Sequence, residues 1–231
     1  MRTFDLVAWD WDGTVIDSVA AVSDAIIGAA TDLGLPVPST HQARWVIGMG
    51  LMEAIHHAVP AIRREQMPAF IERYRVHYLR RDPDLQVFEG IPELLRGLDS
   101  AGVLLAVATG KSRVGLNRAL VQTGLGPRFV ATRCADEGAP KPDPWMLNDL
   151  AQTLQMDAAR IVMIGDTVHD IGMAHAAGAA SVAVTYGAHD PEARRASAPG
   201  AIVDSVPQLA DWLARACAVP RALLGVPEAS R

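Results

Sequence analysis

The chain has few lysines and no long apolar run. Among 21 basic residues only Lys111 and Lys141 are lysines, so arginine carries most of the positive charge. With a net charge of −5, the chain lacks the basic surplus that binding to the phosphate backbone of nucleic acids requires. No apolar run approaches the roughly 20 residues that a membrane-spanning helix needs. We therefore expect neither a nucleic-acid partner nor a membrane partner.

Cysteine is also scarce. Cys134 and Cys217 are far apart and do not have the spacing of metal ligands, so we expect two buried, reduced thiols. The first residues, MRTFDLVAWD, contain no apolar stretch followed by a small-residue cleavage site. These features predict a cytoplasmic protein. Because 50% of its 231 residues are hydrophobic, the chain can bury a sizeable core.

Short apolar runs alternate with helical patterns along most of the chain. Runs of this kind are typical of strands buried on both faces of a parallel sheet, and they lie at 4–9, 103–109, 129–135, 160–165, 181–186 and 201–204. The helical patterns between and after them cover 91–101, 113–123, 144–155, 168–177, 191–197 and 206–218. This alternation predicts an α/β fold with a doubly wound, Rossmann-like parallel sheet.

Residues 17–87 interrupt that alternation, because they contain no comparable strand run. Their pattern predicts four helices instead, at 17–33, 39–47, 50–59 and 61–80. We therefore predict an α-helical cap at 17–87, inserted into a core formed by 1–16 and 88–218. The remaining residues, 219–231, contain two prolines and a charged end, and we expect a flexible tail there.

The first candidate site motif is WDWDGT, residues 9–14, at the end of the first predicted strand. Gly13 allows the chain to turn, so that Asp10 and Asp12 can both approach the crevice at the carboxyl edge of the sheet. An ordinary Asp-Gly turn would explain Asp12 but not Asp10. A carboxylate that closes a buried apolar run needs hydrogen bonds or a cation, which favours a functional role for Asp10.

Two further motifs lie beside strand ends. In VATGKS, Thr109 and the amide of Gly110 can bind an anion at the start of a helix, although Thr109 and Ser112 are also good helix caps. In GAPKPDP, prolines surround Lys141. A surface lysine is the usual interpretation, but a chain that uses arginine almost everywhere has kept lysine here. A compact ammonium suits a site that neutralises phosphate and carboxylates together.

The fourth motif is MIGDTVHDI, residues 163–171, after another predicted strand. Asp166 and Asp170 can approach one site if Thr167 begins a helix, although helix capping could also explain each of them. Magnesium prefers one or two carboxylates, several waters and substrate phosphate oxygens, and Asp10, Asp166 and Asp170 would supply such a site. A bound Mg²⁺ would also reduce the repulsion between these carboxylates and a phosphate dianion.

Together, the four motifs resemble those of the haloacid dehalogenase superfamily: DxDGT, then Thr or Ser, then Lys, then GDxxxD. The helical insertion is similar to the α-helical cap of its phosphoglycolate-phosphatase-like subgroup. The resemblance implies a magnesium-dependent phosphatase of a small phosphorylated metabolite, such as a phosphoglycolate-like compound or a sugar phosphate. We expect the protein to be a monomer or homodimer. The two chain crossings near 15–18 and 84–90, which join the predicted cap to the core, further lead us to expect closure of the cap over the crevice during turnover.

The resemblance further implies residue roles. Asp10 is the nucleophile that forms an aspartyl-phosphate, and Asp12 is the general acid and then the base. Phosphoryl oxygens are bound by Thr109 and Gly110, and Lys141 stabilises their charge. The magnesium ligands are Asp10, the Asp12 carbonyl and Asp166, with Asp170 binding through water or orienting Lys141. Trp11 stands where the family more often has a smaller apolar residue, and we interpret it as packing beneath the site.

Other activities of the same superfamily are alternatives. A dehalogenase would lack the acid at Asp12, and a phosphonate hydrolase would need a cap lysine, which 17–87 do not contain. A phosphomutase is harder to exclude, because cap arginines could hold a second phosphate; the candidates are Arg44, Arg63, Arg64, Arg73, Arg75, Arg80 and Arg81. From a different class, a catalytically silent binding protein would have lost at least one charged motif, and all four are intact.

Overall fold

A computed structural model describes residues 2–227 and contains one six-stranded sheet. Its strands are β1 (Leu6–Trp9), β2 (Leu104–Thr109), β3 (Ala131–Cys134), β4 (Ile161–Gly165), β5 (Ala180–Val184) and β6 (Ala201–Val203). They lie in the order β3-β2-β1-β4-β5-β6, and every neighbouring pair is parallel. This is a Rossmann-like order, in agreement with the predicted fold class, and it places the carboxyl ends of β1, β2 and β4 side by side.

The segment after β1 is helical, as predicted. It contains α1 (Val19–Asp32), α2 (Thr40–Trp45), α3 (Leu51–Ala58) and α4 (Met67–Arg81). The predicted helix at 61–80 begins later than expected, because a 3₁₀ turn at Arg64–Gln66 precedes α4 and Pro68 lies in its first turn, where proline is tolerated. These helices share one apolar cluster, separate from those of the sheet. The division of the chain into core and cap stays a prediction.

Helices cover both faces of the sheet. They are α5 (Ile91–Ser100), α6 (Arg113–Thr123), α7 (Trp145–Thr153), α8 (Val168–Ala177), α9 (Pro191–Ala196) and α10 (Val206–Ala216). Successive side chains of β1 point to opposite faces: Val7 and Trp9 join a cluster with α5, α6 and α10, whereas Leu6 and Ala8 join one with α7 and α8. The predicted doubly wound core is therefore confirmed.

The end of the chain differs from the expected flexible tail. Arg221–Leu224 form a 3₁₀ helix, and Leu224 and Val226 are buried in the same cluster as α5 and α10. The Arg221 guanidinium also donates to the carbonyl of Val226 at 2.8 Å. The expectation is wrong for 219–227, because apolar side chains spaced between the prolines find partners on the core. Residues 228–231 lie outside the described part of the chain.

A membrane span is not found among the helices that the structure describes, since each is too short or too polar to cross a bilayer.

Candidate active site

Asp10 and Asp12 lie at the carboxyl end of β1. The amide of Asp10 donates to the carbonyl of Ile164 at 2.9 Å, which ties this end of β1 to β4. Trp11 between the two acids is fully buried in the core and makes an edge contact with Phe129, as expected of a residue that packs beneath the site. Gly13 has a φ of +78°, and a Cβ there would collide with the Asp166 carboxylate, so glycine is required where the chain turns.

Lys141 lies between two of the predicted site acids. Its Nζ is 2.8 Å from Asp10 Oδ1 and 2.6 Å from Asp170 Oδ1, and all three side chains are at most 1% exposed. Thr167 fixes Asp170, because its amide and hydroxyl donate to Asp170 Oδ2 at 3.1 and 2.7 Å in a capping box at the start of α8. Asp170 therefore both caps a helix and contacts the site lysine.

Asp166 completes the acidic group. Its Oδ1 accepts from the Thr14 hydroxyl at 3.0 Å, and its Oδ2 accepts from the amide of Ala188. Ligand atoms of Asp10, Asp166 and Asp170 all lie within 4.8 Å of one another. Three of the four predicted metal residues thus converge through their carboxylates. Asp12 was predicted to contribute only its carbonyl.

Burial shapes the protonation of these groups. It raises the pKa of Asp10 well above the ordinary value; the Lys141 ammonium opposes this rise, and the neighbouring charges of Asp170 and Asp166 add to it. Burial, with the charge of Asp170, also raises the pKa of Asp166. Burial alone would lower the pKa of Lys141, but Asp10 and Asp170 outweigh it and raise that pKa. The acids need more positive charge than one ammonium supplies.

A divalent cation fits this donor set. Both carboxylate oxygens of Asp10 are buried without an aligned hydrogen bond in the described residues, although Oδ1 lies near Lys141. Buried polar atoms normally have partners, and one left without any is costly. Converging oxygen ligands are those that hard cations such as Mg²⁺ prefer. The acidic triad can therefore hold a divalent metal ion.

Thr109 and Gly110 lie at the carboxyl end of β2, beside β1. Thr109 is fully buried, and Ser112 rather than Thr109 caps α6, accepting from the amide of Gly115 at 3.3 Å. A Cβ on Gly110 would lie 2.5 Å from the carbonyl oxygen of Met49. Glycine is thus needed at position 110 because the segment between α2 and α3 approaches its backbone closely. The amide of Gly110 is also available as a donor.

Sequence reasoning missed Lys111. Its Nζ lies 2.9 and 3.0 Å from the two carboxylate oxygens of Asp12 and 3.0 Å from the Tyr78 hydroxyl on α4. Burial opposes its charged form, but Asp12 and Tyr78 outweigh burial and raise the pKa of Lys111. Asp12 also accepts from the Ser18 hydroxyl at 2.6 Å. The rarity of lysine, already used for Lys141, was the signal that could have identified Lys111.

A second contact between the helical segment and the sheet was also missed. The carbonyl of Trp45, at the end of α2, lies 2.7 Å from His189 Nε2 and 3.2 Å from His169 Nε2. The Trp45 ring stacks on His189, with centroids 4.5 Å apart and an angle of 2° between planes. His189 directly follows Ala188, whose amide binds Asp166. The contact thus joins α2 to the loop that holds a site carboxylate.

A cavity of about 460 Å³ opens beside Asp10 and Asp12, between α1, α3, α4 and the start of α6. Among the seven arginines of 17–87 considered above, Arg75 borders it. Three others are engaged elsewhere: Arg81 pairs with Asp24, Arg73 pairs with Glu72, and Arg44 donates to the carbonyl of Gly187. A molecule bound in the cavity would lie against Asp10 and Asp12.

The comparisons with known proteins agree with this geometry. Residues 7–184 match the model of a family described as haloacid dehalogenase-like hydrolase. The chain is 37% identical over 207 residues to the probable phosphatase IndB of Dickeya dadantii, covering 87% of this chain and 89% of that protein. It is 32% identical to the phosphoglycolate phosphatase of Vibrio vulnificus strain YJ016, covering 89% and 94%.

A solved structure, described as a predicted phosphoglycolate phosphatase from Haemophilus somnus 129pt, is similar in fold and sequence. Its TM-score is 0.80 at 25% identity, covering 89% of this chain and 96% of that one. The predicted family and the predicted class of enzyme are confirmed, and the alternative of a catalytically silent binding protein is set aside. The chain belongs to the haloacid dehalogenase-like hydrolase family, and it is a phosphatase.

Proposed function

We propose that the chain is a magnesium-dependent phosphomonoester hydrolase that forms an aspartyl-phosphate on Asp10 and acts on a small phosphorylated metabolite, either phosphoglycolate-like or a sugar phosphate. The observation that carries the proposal is the Asp10 carboxylate itself. It is 1% exposed, lacks an aligned hydrogen bond in the described residues, and faces a cavity beside a buried lysine. The phosphoglycolate phosphatases among its relatives support this substrate class.

Asp10, Asp166 and the Asp12 carbonyl would hold Mg²⁺, with Asp170 binding through water or orienting Lys141. When bound, Mg²⁺ supplies positive charge that offsets both the carboxylates and the phosphate of the substrate. The 2.6 Å contact with Asp170 supports the orienting role, because it fixes the Lys141 ammonium beside Asp10. Lys141 can then stabilise the charge that spreads over the phosphoryl oxygens during transfer.

The chemistry proceeds in two displacements. A carboxylate oxygen of Asp10 forms a bond to phosphorus while the bond to the ester oxygen breaks, and Asp12 gives its proton to that oxygen. In the second step Asp12 accepts a proton from water, whose oxygen attacks phosphorus and releases phosphate and free Asp10. Ser18 and Lys111 donate to Asp12 and hold its carboxyl group in place beside the cavity.

The experiment that tests this proposal is hydrolysis of p-nitrophenyl phosphate with and without Mg²⁺, by the wild type and the Asp10→Asn variant. We expect the wild type to need Mg²⁺ and the variant to be inactive. Asp84→Asn is the matched control, since Asp84 is exposed and distant in sequence from every motif. Mg²⁺-dependent hydrolysis by Asp10→Asn would show that another residue is the nucleophile. A phosphoryl group found on Asp10 by mass spectrometry would support the intermediate.

The alternative from the sequence analysis, a phosphomutase, would need a cap arginine to hold a second phosphate, and Arg75 is the candidate that borders the cavity. A mutase would return phosphate to a sugar phosphate rather than to water. Measuring free phosphate from a hexose monophosphate separates the two, because only a phosphatase releases it stoichiometrically. The cytoplasmic location and the monomeric or homodimeric state stay predictions.

A further inference from the structure

The cavity beside Asp10 has a size and a lining that the small polar substrates considered above do not need. Its volume of about 460 Å³ lies within the range of roughly 300–1,000 Å³ typical of pockets that enclose drug-sized molecules. Its mouth and walls come mainly from the helical segment, while Asp10 and Asp12 lie at the sheet edge. A phosphate at Asp10 would therefore direct the rest of its ester into this space.

The walls of the cavity are largely apolar. Val22 and Ile26 line it from α1, Ile47 and Met49 from the segment between α2 and α3, and Ala54 from α3. All five are at most 9% exposed and belong to the apolar cluster of the helical segment. A ligand that covers such walls gains from the removal of apolar surface from water, which hydroxyl groups of a sugar would not provide.

The charged side chains around the cavity are mostly engaged by other residues. Lys111 contacts Asp12, and Arg118 pairs with Asp82, whose Oδ2 lies 2.9 Å from Arg118 Nε. Arg75 and Asp136 are the exceptions, since both are exposed and neither has an ion-pair partner among the described residues. The interior of the cavity thus offers few free groups for a second anion or for several hydroxyls.

The rim of the cavity is also apolar. Leu79 on α4 is 45% exposed and Val114 on α6 is 76% exposed, and both line the cavity. Large apolar side chains exposed on both the helical segment and the core, around one mouth, mark a site for apolar contact. The interior and the rim therefore indicate the same kind of ligand.

We propose that the physiological substrate is the phosphate ester of a bulky, mostly apolar and uncharged alcohol, whose body fills the cavity while its phosphate lies at Asp10. This inference rests on the proposed phosphatase chemistry, and it favours a more apolar substrate than the phosphoglycolate-like compounds and sugar phosphates named above. A two-carbon acid such as glycolate would leave most of the cavity filled with water. An alcohol with an aromatic or alicyclic body would instead cover the walls around Ile26 and Met49.

The test compares kcat/KM for ethyl phosphate, 2-phenylethyl phosphate and phosphoglycolate, with free phosphate as the readout. The first two have alkoxide leaving groups of similar basicity, so their ratio reports contact with the phenyl ring rather than intrinsic reactivity. We expect 2-phenylethyl phosphate to exceed ethyl phosphate by about tenfold or more, from the burial of one aromatic ring. A ratio near one, or a preference for phosphoglycolate, would overturn the inference and leave the phosphatase assignment intact.

Variants test whether the cavity is the source of the preference for 2-phenylethyl phosphate. Ala54→Leu fills part of the cavity and should lower the 2-phenylethyl to ethyl ratio, whereas Ala20→Leu adds the same side chain at an exposed position of α1 and should not. Val114→Asn should lower the ratio too. Its control is Val121→Asn, on the same helix and 83% exposed but outside the cavity. Equal ratios in all four variants would place the selectivity elsewhere and contradict the inference.

Binding of non-hydrolysable analogues separates this inference from the proposed function. If none of the esters nor p-nitrophenyl phosphate is hydrolysed, the proposed function fails. Calorimetry with 2-phenylethylphosphonate and ethylphosphonate then still tests the cavity. Tighter binding of the phenyl compound, lost in Ala54→Leu, would support the apolar site. Equal affinity of both phosphonates would reject it.

Discussion

The stacked pair of Trp45 and His189 leads to a quantitative prediction for acid stability. His189 Nε2 lies 2.7 Å from the Trp45 carbonyl and donates to it, while Nδ1 accepts from the amide of Val168 at 3.2 Å. An imidazole that donates at one nitrogen and accepts at the other must be neutral. Burial, helped by the nearby charge of His169, lowers the pKa of His189 from 6.5 to about 4.

The direction of the change in stability with pH follows from proton binding. Between pH 6.5 and pH 4 the unfolded chain binds a proton at His189 that the folded chain excludes, so this group removes stability as the pH falls. With folded and unfolded pKa values of about 4 and 6.5, the loss at pH 5 is about 2 kcal/mol relative to neutral pH. Asp10 and Asp166 act in the opposite direction, because their raised pKa values let the folded state bind protons first.

The assay therefore compares the wild type with His189→Asn, since the carboxylates titrate in both and their effect cancels. Urea unfolding in EDTA at pH 7.5 and pH 5 gives the free energy of unfolding of each protein. We expect the difference between the two proteins to shrink by about 2 kcal/mol at the lower pH. His56→Asn, at an exposed histidine of α3, should show no such change. A difference for His189→Asn that is independent of pH would refute the reasoning.

Three further predictions concern the site. Lys141→Met leaves Asp10 without its ammonium partner and should lower the free energy of unfolding in EDTA by about 3–5 kcal/mol. Adding Mg²⁺ should raise the melting temperature of this variant more than that of the wild type. An equal rise in both proteins would contradict the prediction. Gly110→Ala should lower kcat/KM at least about tenfold by pushing against the Met49 carbonyl, unlike Gly126→Ala, where a Cβ fits. Lys111→Met should lower kcat roughly tenfold, and an unchanged kcat would exclude a role for this lysine.

The sequence predicted the sheet and its edge well for a physical reason. The four inner strands are buried on both faces and must be continuous apolar runs, whereas the edge strands β3 and β6 are only partly buried; all six lie close to their predicted bounds. Polar residues that end such runs, among them Asp10, Thr109 and Asp166, then fall together wherever parallel strands are neighbours. The convergence of these groups could therefore be predicted from the local sequence pattern and the parallel order of the strands alone.

The contacts between the helical segment and the sheet could not be predicted in this way. The pair Lys111 and Tyr78 and the pair Trp45 and His189 join positions far apart in sequence. No periodicity links such positions, because each contact depends on how α2 and α4 lie on the sheet edge. The burial of Leu224 was missed for a related reason, since its apolar cluster includes α5, which is remote from it in sequence.

The charges of the site explain why both lysines of the chain are found there. Four buried carboxylates, Asp10, Asp12, Asp166 and Asp170, face only two ammonium groups, those of Lys111 and Lys141. If all are ionised, these four carboxylates and two lysines together carry two excess negative charges, which one divalent cation would neutralise. A compact ammonium can reach Asp10 and Asp170 together within 2.8 Å, whereas a planar guanidinium needs more room and a fixed fork of acceptors. The chain's otherwise complete preference for arginine therefore stops at the two positions where the size of the cation matters.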